Sequence, residues 1–106
     1  MKKEKIIKEN KKFTEIINQN NSKKNKYFSI YYEKSEINKY GITIPKKIAK
    51  ANVRNRIKRR IKNIIIKNEK NIQKNFNYVI IVKKAILELN YNNMEQELLK
   101  LIKKES

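Results

Sequence analysis

The stretch AKANVRNRIKRRIKN, Ala49–Asn63, contains the most informative pattern in the sequence. It holds all four arginines of the chain, Arg54, Arg56, Arg59 and Arg60, whereas every other cationic side chain is a lysine. The planar guanidinium group of arginine can hold a phosphate or a base edge through two parallel hydrogen bonds, and lysine cannot. No acidic residue occurs between Glu36 and Glu69, so this stretch lacks the alternating charges of an ordinary solvated helix. The stretch therefore predicts a helix that contacts RNA or DNA.

The same stretch is amphipathic if a helix runs over about Lys50–Lys67. Plotted at about 100° per residue, its apolar side chains form one stripe: Val53, Ile57, Ile61, Ile64 and Ile65. Most cations lie on the rest of the circumference, and Arg54 lies at the edge of the stripe. We expect one side of this helix to pack on a core and the other to face a partner.

Length and charge limit the class of protein. The chain has 106 residues, which suits a single domain over 1–106, with 1–9 expected to be frayed. A net charge of +18 indicates a polyanionic partner, for which nucleic acid is the common case. No apolar run reaches the roughly 18–20 residues of a membrane span, and the N-terminus lacks the apolar segment of a secretory signal. The expected location is the cytoplasm.

The segments before the basic stretch predict a helix and two strands. A helix that Asn10 can cap places Phe13, Ile16 and Ile17 on one face, where core packing is the simpler interpretation of Phe13. Asn18–Asn25 is expected to be a polar loop. Lys26–Glu33 alternates as a strand, with Phe28, Ile30 and Tyr32 on the core face and Tyr27, Ser29 and Tyr31 on the other. The second set could stack on single-stranded bases or could reflect only the preference of tyrosine for strands, and both interpretations stay open.

The remaining segments complete an α+β pattern. Lys39–Ile44 is a predicted strand in which Gly41 would permit a bulge or a close backbone approach, and Pro45 ends it. A polar connection, Asn68–Asn77, leads to a buried strand, Tyr78–Val82. A last helix is capped by Asn90 and lined on one face by Tyr91, Met94, Leu98, Leu101 and Ile102. The order predicts a single sheet packed on helices.

Several kinds of chemistry are missing from the composition. The chain has no histidine and no cysteine, the commonest general base, nucleophile and transition-metal ligands. Its ten carboxylates lie in separate segments, and its single glycine rules out a glycine-rich phosphate loop. The sequence predicts a binding module, with no catalytic residue and no metal ligand of its own.

One motif resembles a known family. ANVRNRIKRRIK, Ala51–Lys62, resembles the signature helix of the bacterial ribonuclease P protein component, Ala-x-x-Arg-Asn-x-x-Lys-Arg-x-x-Arg/Lys. The matching positions are Ala51, Arg54, Asn55, Lys58, Arg59 and Lys62. Segments along nearly the whole chain are also similar to family segments: ENKKF, YFSIYY, YGITIPKKI and YVIIVKK.

The resemblance implies a fold and a function. The implied fold is an α+β domain similar to the second domain of a small-subunit ribosomal protein, with a left-handed βαβ crossover that lays the signature helix on the sheet, against the usual right-handed rule. The implied function is that of the protein subunit of ribonuclease P. It binds the catalytic RNA and the 5′ leader of precursor tRNA, and it assists magnesium-dependent removal of the leader during tRNA maturation. The RNA subunit carries the chemistry and holds most of the magnesium. The implied partners are ribonuclease P RNA and precursor tRNA, without membrane or DNA.

The resemblance also implies site residues, matched by position. The catalytic RNA would contact Arg54, Asn55, Arg56, Lys58, Arg59 and Lys62, and the leader cleft would contain Phe13, Ser29 and Tyr31. Apart from these matched positions, we expect further cations in and before the helix to support RNA binding through their charge: Lys46, Lys47, Lys50 and Arg60. Ile17 departs from the family pattern, since many members have a second phenylalanine there. Pro45 and Arg60 are also atypical, as are Ala49 and Lys50 in place of a Gly-Asn pair.

Three other functions compete with this interpretation. A ribosomal or other structural RNA-binding protein of similar fold would show the same charge, but it would not distinguish a leader-bearing tRNA precursor. A helix-turn-helix DNA binder needs a helix before the basic helix, where the sequence predicts a strand and a proline. A nuclease acting through its own side chains lacks the acid and base groups.

Overall fold

The computed structural model describes residues 6–7 and 10–104 of the chain. Three α-helices and four β-strands make up its regular structure. In chain order they are α1 (Asn10–Asn18), β1 (Ser22–Lys24), β2 (Phe28–Lys34), β3 (Lys39–Thr43), α2 (Ala51–Lys67), β4 (Phe76–Val82) and α3 (Tyr91–Ile102). Short 3-10 turns cover Lys46–Ile48, Glu69–Asn71 and Lys84–Glu88.

The four strands form one mixed sheet in the order β1-β2-β4-β3. β2 pairs antiparallel with both β1 and β4, whereas β3 and β4 are parallel neighbours. Because α2 connects these two parallel strands, β3-α2-β4 is a βαβ unit. The α+β class with a basic helix packed on one sheet is confirmed, and the left hand of the crossover stays a prediction.

The larger core lies between one sheet face and the helices α2 and α3. Alternate strand residues supply the sheet side of this core, as the period of two requires. Its sheet and helix members include Phe28, Ile30, Tyr40, Ile80, Val82, Ile57, Ile61, Ile64, Ile65, Met94, Leu98 and Ile102. Each fully buried aliphatic or aromatic side chain stabilises the fold by about 1.5–3 kcal/mol. The predicted apolar stripe of α2 is confirmed, with only Val53 half-buried.

The opposite sheet face is covered by α1. Ile16 is fully buried there and packs with Val79 of β4 and with Ile7. The Ile7 amide donates to the Tyr40 carbonyl at 3.0 Å, and Ile6 forms a parallel bridge with the same residue. The expected fraying of residues 1–9 is therefore wrong for Ile6 and Ile7, because a buried isoleucine and a strand edge hold them; 1–5 and 8–9 lie outside the described residues.

Three local predictions need correction. The loop expected at Asn18–Asn25 contains β1, which is too short and polar to be visible as a strand pattern. Tyr27 packs with the larger core instead of sharing a face with Ser29, because Asn25 Oδ1 accepts from the amides of Tyr27 and Phe28 at 2.9 Å and turns the chain just before β2. β4 begins at Phe76, within the expected connection, because its ladder with β2 continues as far as Lys34.

The last helix follows the prediction closely. Asn90 Oδ1 accepts from the Asn93 amide at 2.9 Å, which is an N-cap. Met94, Leu98 and Ile102 are buried. None of the helices in the described part of the chain is both long enough and apolar enough to cross a membrane.

Candidate RNA-binding surfaces

The first candidate surface is the outward face of α2. Burial of Ile57, Ile61, Ile64 and Ile65 fixes the rotation of this helix about its axis, and the cations on the other side of the circumference must then face solvent. Among the predicted RNA-contacting residues, Asn55, Arg56, Lys58 and Arg59 are exposed, and Arg54 and Lys62 are half-buried. Four of the six line one shallow depression together with Asn52: Asn55, Lys58, Arg59 and Lys62.

Arg54 has a different local role from its neighbours. Its Nε donates to the carbonyl of Ala49 at 3.1 Å, just before the first turn of α2. The helix begins after Lys50, whose side chain makes no capping hydrogen bond. Arg54 therefore helps to fix the start of the helix, with part of its guanidinium still open to a ligand.

The charge on this face is not neutralised within the described structure. No described carboxylate lies within ion-pairing distance of the six predicted RNA-contacting residues, and the α2 cation that does pair is Lys67, 3.5 Å from Glu95 of α3. Of the supporting cations, Lys46, Lys47 and Lys50 are exposed along the approach to the helix, whereas Arg60 is half-buried. A face with this much unpaired charge attracts a polyanion.

The second candidate surface lies between α1 and the sheet. Phe13 of α1 is half-buried, and the end of its ring lies against the backbone of β3 at Gly41. A Cβ atom at Gly41 would be only 2.5 Å from Phe13 Cζ, so the close approach predicted for this glycine is confirmed. The single glycine of the chain thus makes room for the ring.

Tyr31 and Ser29 lie on the same sheet face as Phe13. In the ladder with β4, Ser29 is opposite Ile81 and Tyr31 is opposite Val79. Phe13 and Tyr31 both pack against the small cluster of Ile7, Ile16 and Val79, and both rings stay partly exposed. The structure brings the three predicted cleft residues to one face. The Phe13 ring therefore packs against the core and still exposes part of its surface.

A polar network lies at the end of this sheet face, and the sequence predictions did not include it. The Glu33 carboxylate accepts hydrogen bonds from Gln19 Nε2 at 2.7 Å and Asn77 Nδ2 at 2.9 Å, and Lys12 Nζ lies 2.8 Å away. Burial raises the pKa of Glu33, but the hydrogen bonds from Lys12, Asn77 and Gln19 outweigh it and leave the pKa below its ordinary value. Since Lys12 lies in α1 and Gln19 directly follows it, Glu33 fastens this helix to β2. The alternation of Ser29, Tyr31 and Glu33 along β2 was the sequence signal that could have placed Glu33 on this sheet face.

The donor groups on both surfaces do not suit a metal ion. In the described residues, no three carboxylate, histidine or cysteine side chains are grouped closely enough to hold one. Magnesium prefers carboxylate and phosphate oxygens, whereas the α2 face presents amides and cations. The described residues therefore do not fit magnesium.

Comparisons with known proteins give matches in sequence and in fold over nearly the whole chain. The family model for Ribonuclease P matches residues 1–106. The ribonuclease P protein component of Mycoplasma capricolum is 42% identical over 106 residues, 97% of each chain, and that of Streptococcus agalactiae is 34% identical over 97% of this chain and 95% of its own. The solved RNase P protein of Thermotoga maritima superposes with a TM-score of 0.86 at 27% identity, over 94% of this chain and 96% of that one. A mutant RNase P protein of Staphylococcus aureus gives the same TM-score at 25% identity, over 93% of this chain and 86% of that chain. The chain belongs to the ribonuclease P protein family, the protein component of an endoribonuclease complex that acts in tRNA processing.

Proposed function

We propose that this protein binds ribonuclease P RNA through the outward face of α2 and holds the 5′ leader of precursor tRNA in the cleft between α1 and the sheet. Both contacts help the RNA subunit to remove the leader. The protein contributes binding and orientation, and the RNA carries the chemistry.

The observation that carries the proposal is the unpaired cationic face of α2. Asn55, Lys58 and Arg59 recur on one side of a helix whose other side is buried, so their spacing is fixed before a ligand arrives. The planar guanidinium group of arginine binds phosphates with charge-assisted hydrogen bonds and loses less side-chain entropy per hydrogen bond than the lysine ammonium does. Such a surface fits the phosphates of a folded RNA.

The cleft supports the second half of the proposal. Phe13 and Tyr31 offer partly exposed rings beside a buried apolar cluster, and aromatic rings stack on unpaired bases regardless of sequence. A leader is single-stranded, whereas mature tRNA has none. Stacking in this cleft therefore accounts for a preference for precursor over mature tRNA.

Magnesium is assigned to the RNA partner. The phosphate oxygens of the RNA subunit and of the substrate are its natural ligands. The cations of α2 lower the repulsion between the phosphates of those two RNAs and so favour their close approach. No step of the proposed role depends on a metal ligand from this chain.

The test is reconstitution with a bacterial ribonuclease P RNA. Cleavage of a leader-bearing precursor tRNA is measured at low magnesium with no protein, wild type, Arg56→Ala/Arg59→Ala, or Lys70→Ala/Lys74→Ala. Arg56 and Arg59 are exposed and make no described contact that holds the fold, and Lys70 and Lys74 are exposed lysines outside α2. Both double variants lose two positive charges, so they are matched.

We expect wild type and the lysine variant to stimulate cleavage and the arginine variant to fail. Equal loss in both double variants would show that total charge matters instead of the α2 face. If the RNA alone cleaves as well as the complex while the protein still binds RNA at moderate salt, the structural RNA-binding function replaces the proposal.

A further inference from the structure

We propose that Lys24 is a further leader-binding residue, whose ammonium group covers the Tyr31 ring in the free protein and moves to a leader phosphate when a base stacks there. This inference rests on the proposed function, because it assigns to Lys24 two contacts in the leader cleft: one with the Tyr31 ring before binding and one with a leader phosphate afterwards. It concerns a lysine outside α2 and outside the signature motif.

The register of the first two strands places Lys24 on the sheet face that carries Ser29 and Tyr31. In the antiparallel pair of β1 and β2, Lys24 is opposite Ser29 and Ser22 is opposite Tyr31. Directly opposed residues lie on the same sheet face, so Lys24 shares the face of Ser29 and Tyr31. Its Nζ lies over the Tyr31 ring, 5.2 Å from the ring centroid.

Lys23, the next residue in sequence, points to the other face. It is opposite Ile30, which is 1% exposed in the larger core between the sheet and the helices α2 and α3. Successive strand residues alternate between faces, so the two neighbouring lysines have the same charge and the same strand but different surroundings. The chain itself thus provides a matched control.

The charge of Lys24 is available to a phosphate. Its side chain is exposed, and no described carboxylate lies within ion-pairing distance of it. The carboxylate on this strand face, Glu33, is already held by Lys12, Gln19 and Asn77. The described contact of the Lys24 ammonium is therefore the Tyr31 ring alone.

The ring contact is easily exchanged for a phosphate contact. A cation over an exposed aromatic ring is weakly held, and a base that stacks on the same ring face takes the space of the ammonium group. The phosphates on either side of that base then lie within reach of the flexible lysine side chain. Lys24 shields the ring from solvent before binding and neutralises the leader backbone afterwards.

The experiment uses the holoenzyme assembled with a bacterial ribonuclease P RNA and wild type, Lys24→Ala, Lys23→Ala or Lys24→Arg protein. Single-turnover cleavage gives the half-saturating enzyme concentration for a leader-bearing precursor. Competition gives the inhibition constant of mature tRNA. Both are measured over a range of monovalent salt, because the number of phosphate contacts sets the salt dependence.

We expect Lys24→Ala to weaken precursor binding several-fold and to reduce the slope of log affinity against log salt by about 0.7, the value for one contact to a single strand. Lys23→Ala and Lys24→Arg keep the wild-type slope, and no variant changes the inhibition constant of mature tRNA. Equal effects of Lys23→Ala and Lys24→Ala, or an unchanged slope in Lys24→Ala, would overturn the role of Lys24 while leaving the proposed function intact. A wild-type holoenzyme that binds precursor and mature tRNA equally would instead overturn leader binding itself, and Lys24 with it.

Discussion

Replacing Gly41 by alanine tests the contact on which the geometry of the cleft depends. The new Cβ atom would lie 2.5 Å from Phe13 Cζ and 2.6 Å from Cε1. Carbon atoms in contact prefer about 3.5 Å or more, so the ring must retreat by about 1 Å. Gly41 has no positive φ, so the backbone itself accepts alanine without strain.

The expected cost follows from two opposing effects. Overpacking a well-filled contact costs about 1–3 kcal/mol, and replacing a strand glycine by alanine returns about 0.5–1 kcal/mol of chain entropy. We expect Gly41→Ala to lower the free energy of unfolding by about 1–2 kcal/mol. In a Phe13→Ala background the clash is gone, so the same substitution should become neutral or slightly stabilising.

The assay is a double-mutant cycle measured by urea unfolding of wild type, Gly41→Ala, Phe13→Ala and the double variant. The coupling free energy should exceed about 1 kcal/mol, well above the roughly 0.5 kcal/mol seen between independent sites. Holoenzyme reconstituted with Gly41→Ala should also bind precursor tRNA more weakly, with mature tRNA unaffected. Additive effects on stability would refute the packing of Phe13 against β3, and the account of the cleft would fall with it.

Three other substitutions probe the remaining parts of the two surfaces. Arg59→Ala should weaken association with ribonuclease P RNA by about 1–3 kcal/mol through loss of a charge-assisted contact; filter binding at a fixed salt concentration measures it, and a change of a few tenths would remove Arg59 from the interface. Tyr31→Ala should weaken binding of the leader-bearing precursor by about 1–3 kcal/mol of stacking energy, whereas equal weakening of mature tRNA would indicate misfolding or general charge binding. Glu33→Gln should lower the free energy of unfolding at neutral pH and flatten its dependence on pH in acid. The pKa of Glu33 in the folded protein lies below the ordinary 4.5, so the ionised carboxylate stabilises the fold above that pH, and this stabilisation is lost as pH falls through the lowered pKa. Unfolding free energies of both proteins from pH 7 to pH 3 test this, and parallel curves would contradict it.

The α2 face was predictable because its information is local. Helix period, apolar stripe and arginine positions are all properties of consecutive residues, and burial of Ile57 and Ile61 in the structure matches the stripe. The Asn90 cap is local in the same way. Elements whose pattern is short or polar could not be found like this: β1 spans only Ser22–Lys24, and its pairing with β2 gives it a strand conformation that its own residues do not favour.

The sequence by itself determined the α+β class, the basic helix with its exposed cations, and the resemblance that assigns the family. Only the tertiary structure decided which distant residues share the cleft. Phe13 contacts Gly41, which lies 28 positions further along the sequence. The Glu33 carboxylate binds the side chains of Lys12, Gln19 and Asn77, and the Lys24 ammonium lies over the Tyr31 ring. The physical reason is that strand register and helix docking are set by the total burial of apolar surface. Residues far apart in sequence become neighbours only when that burial has fixed the sheet.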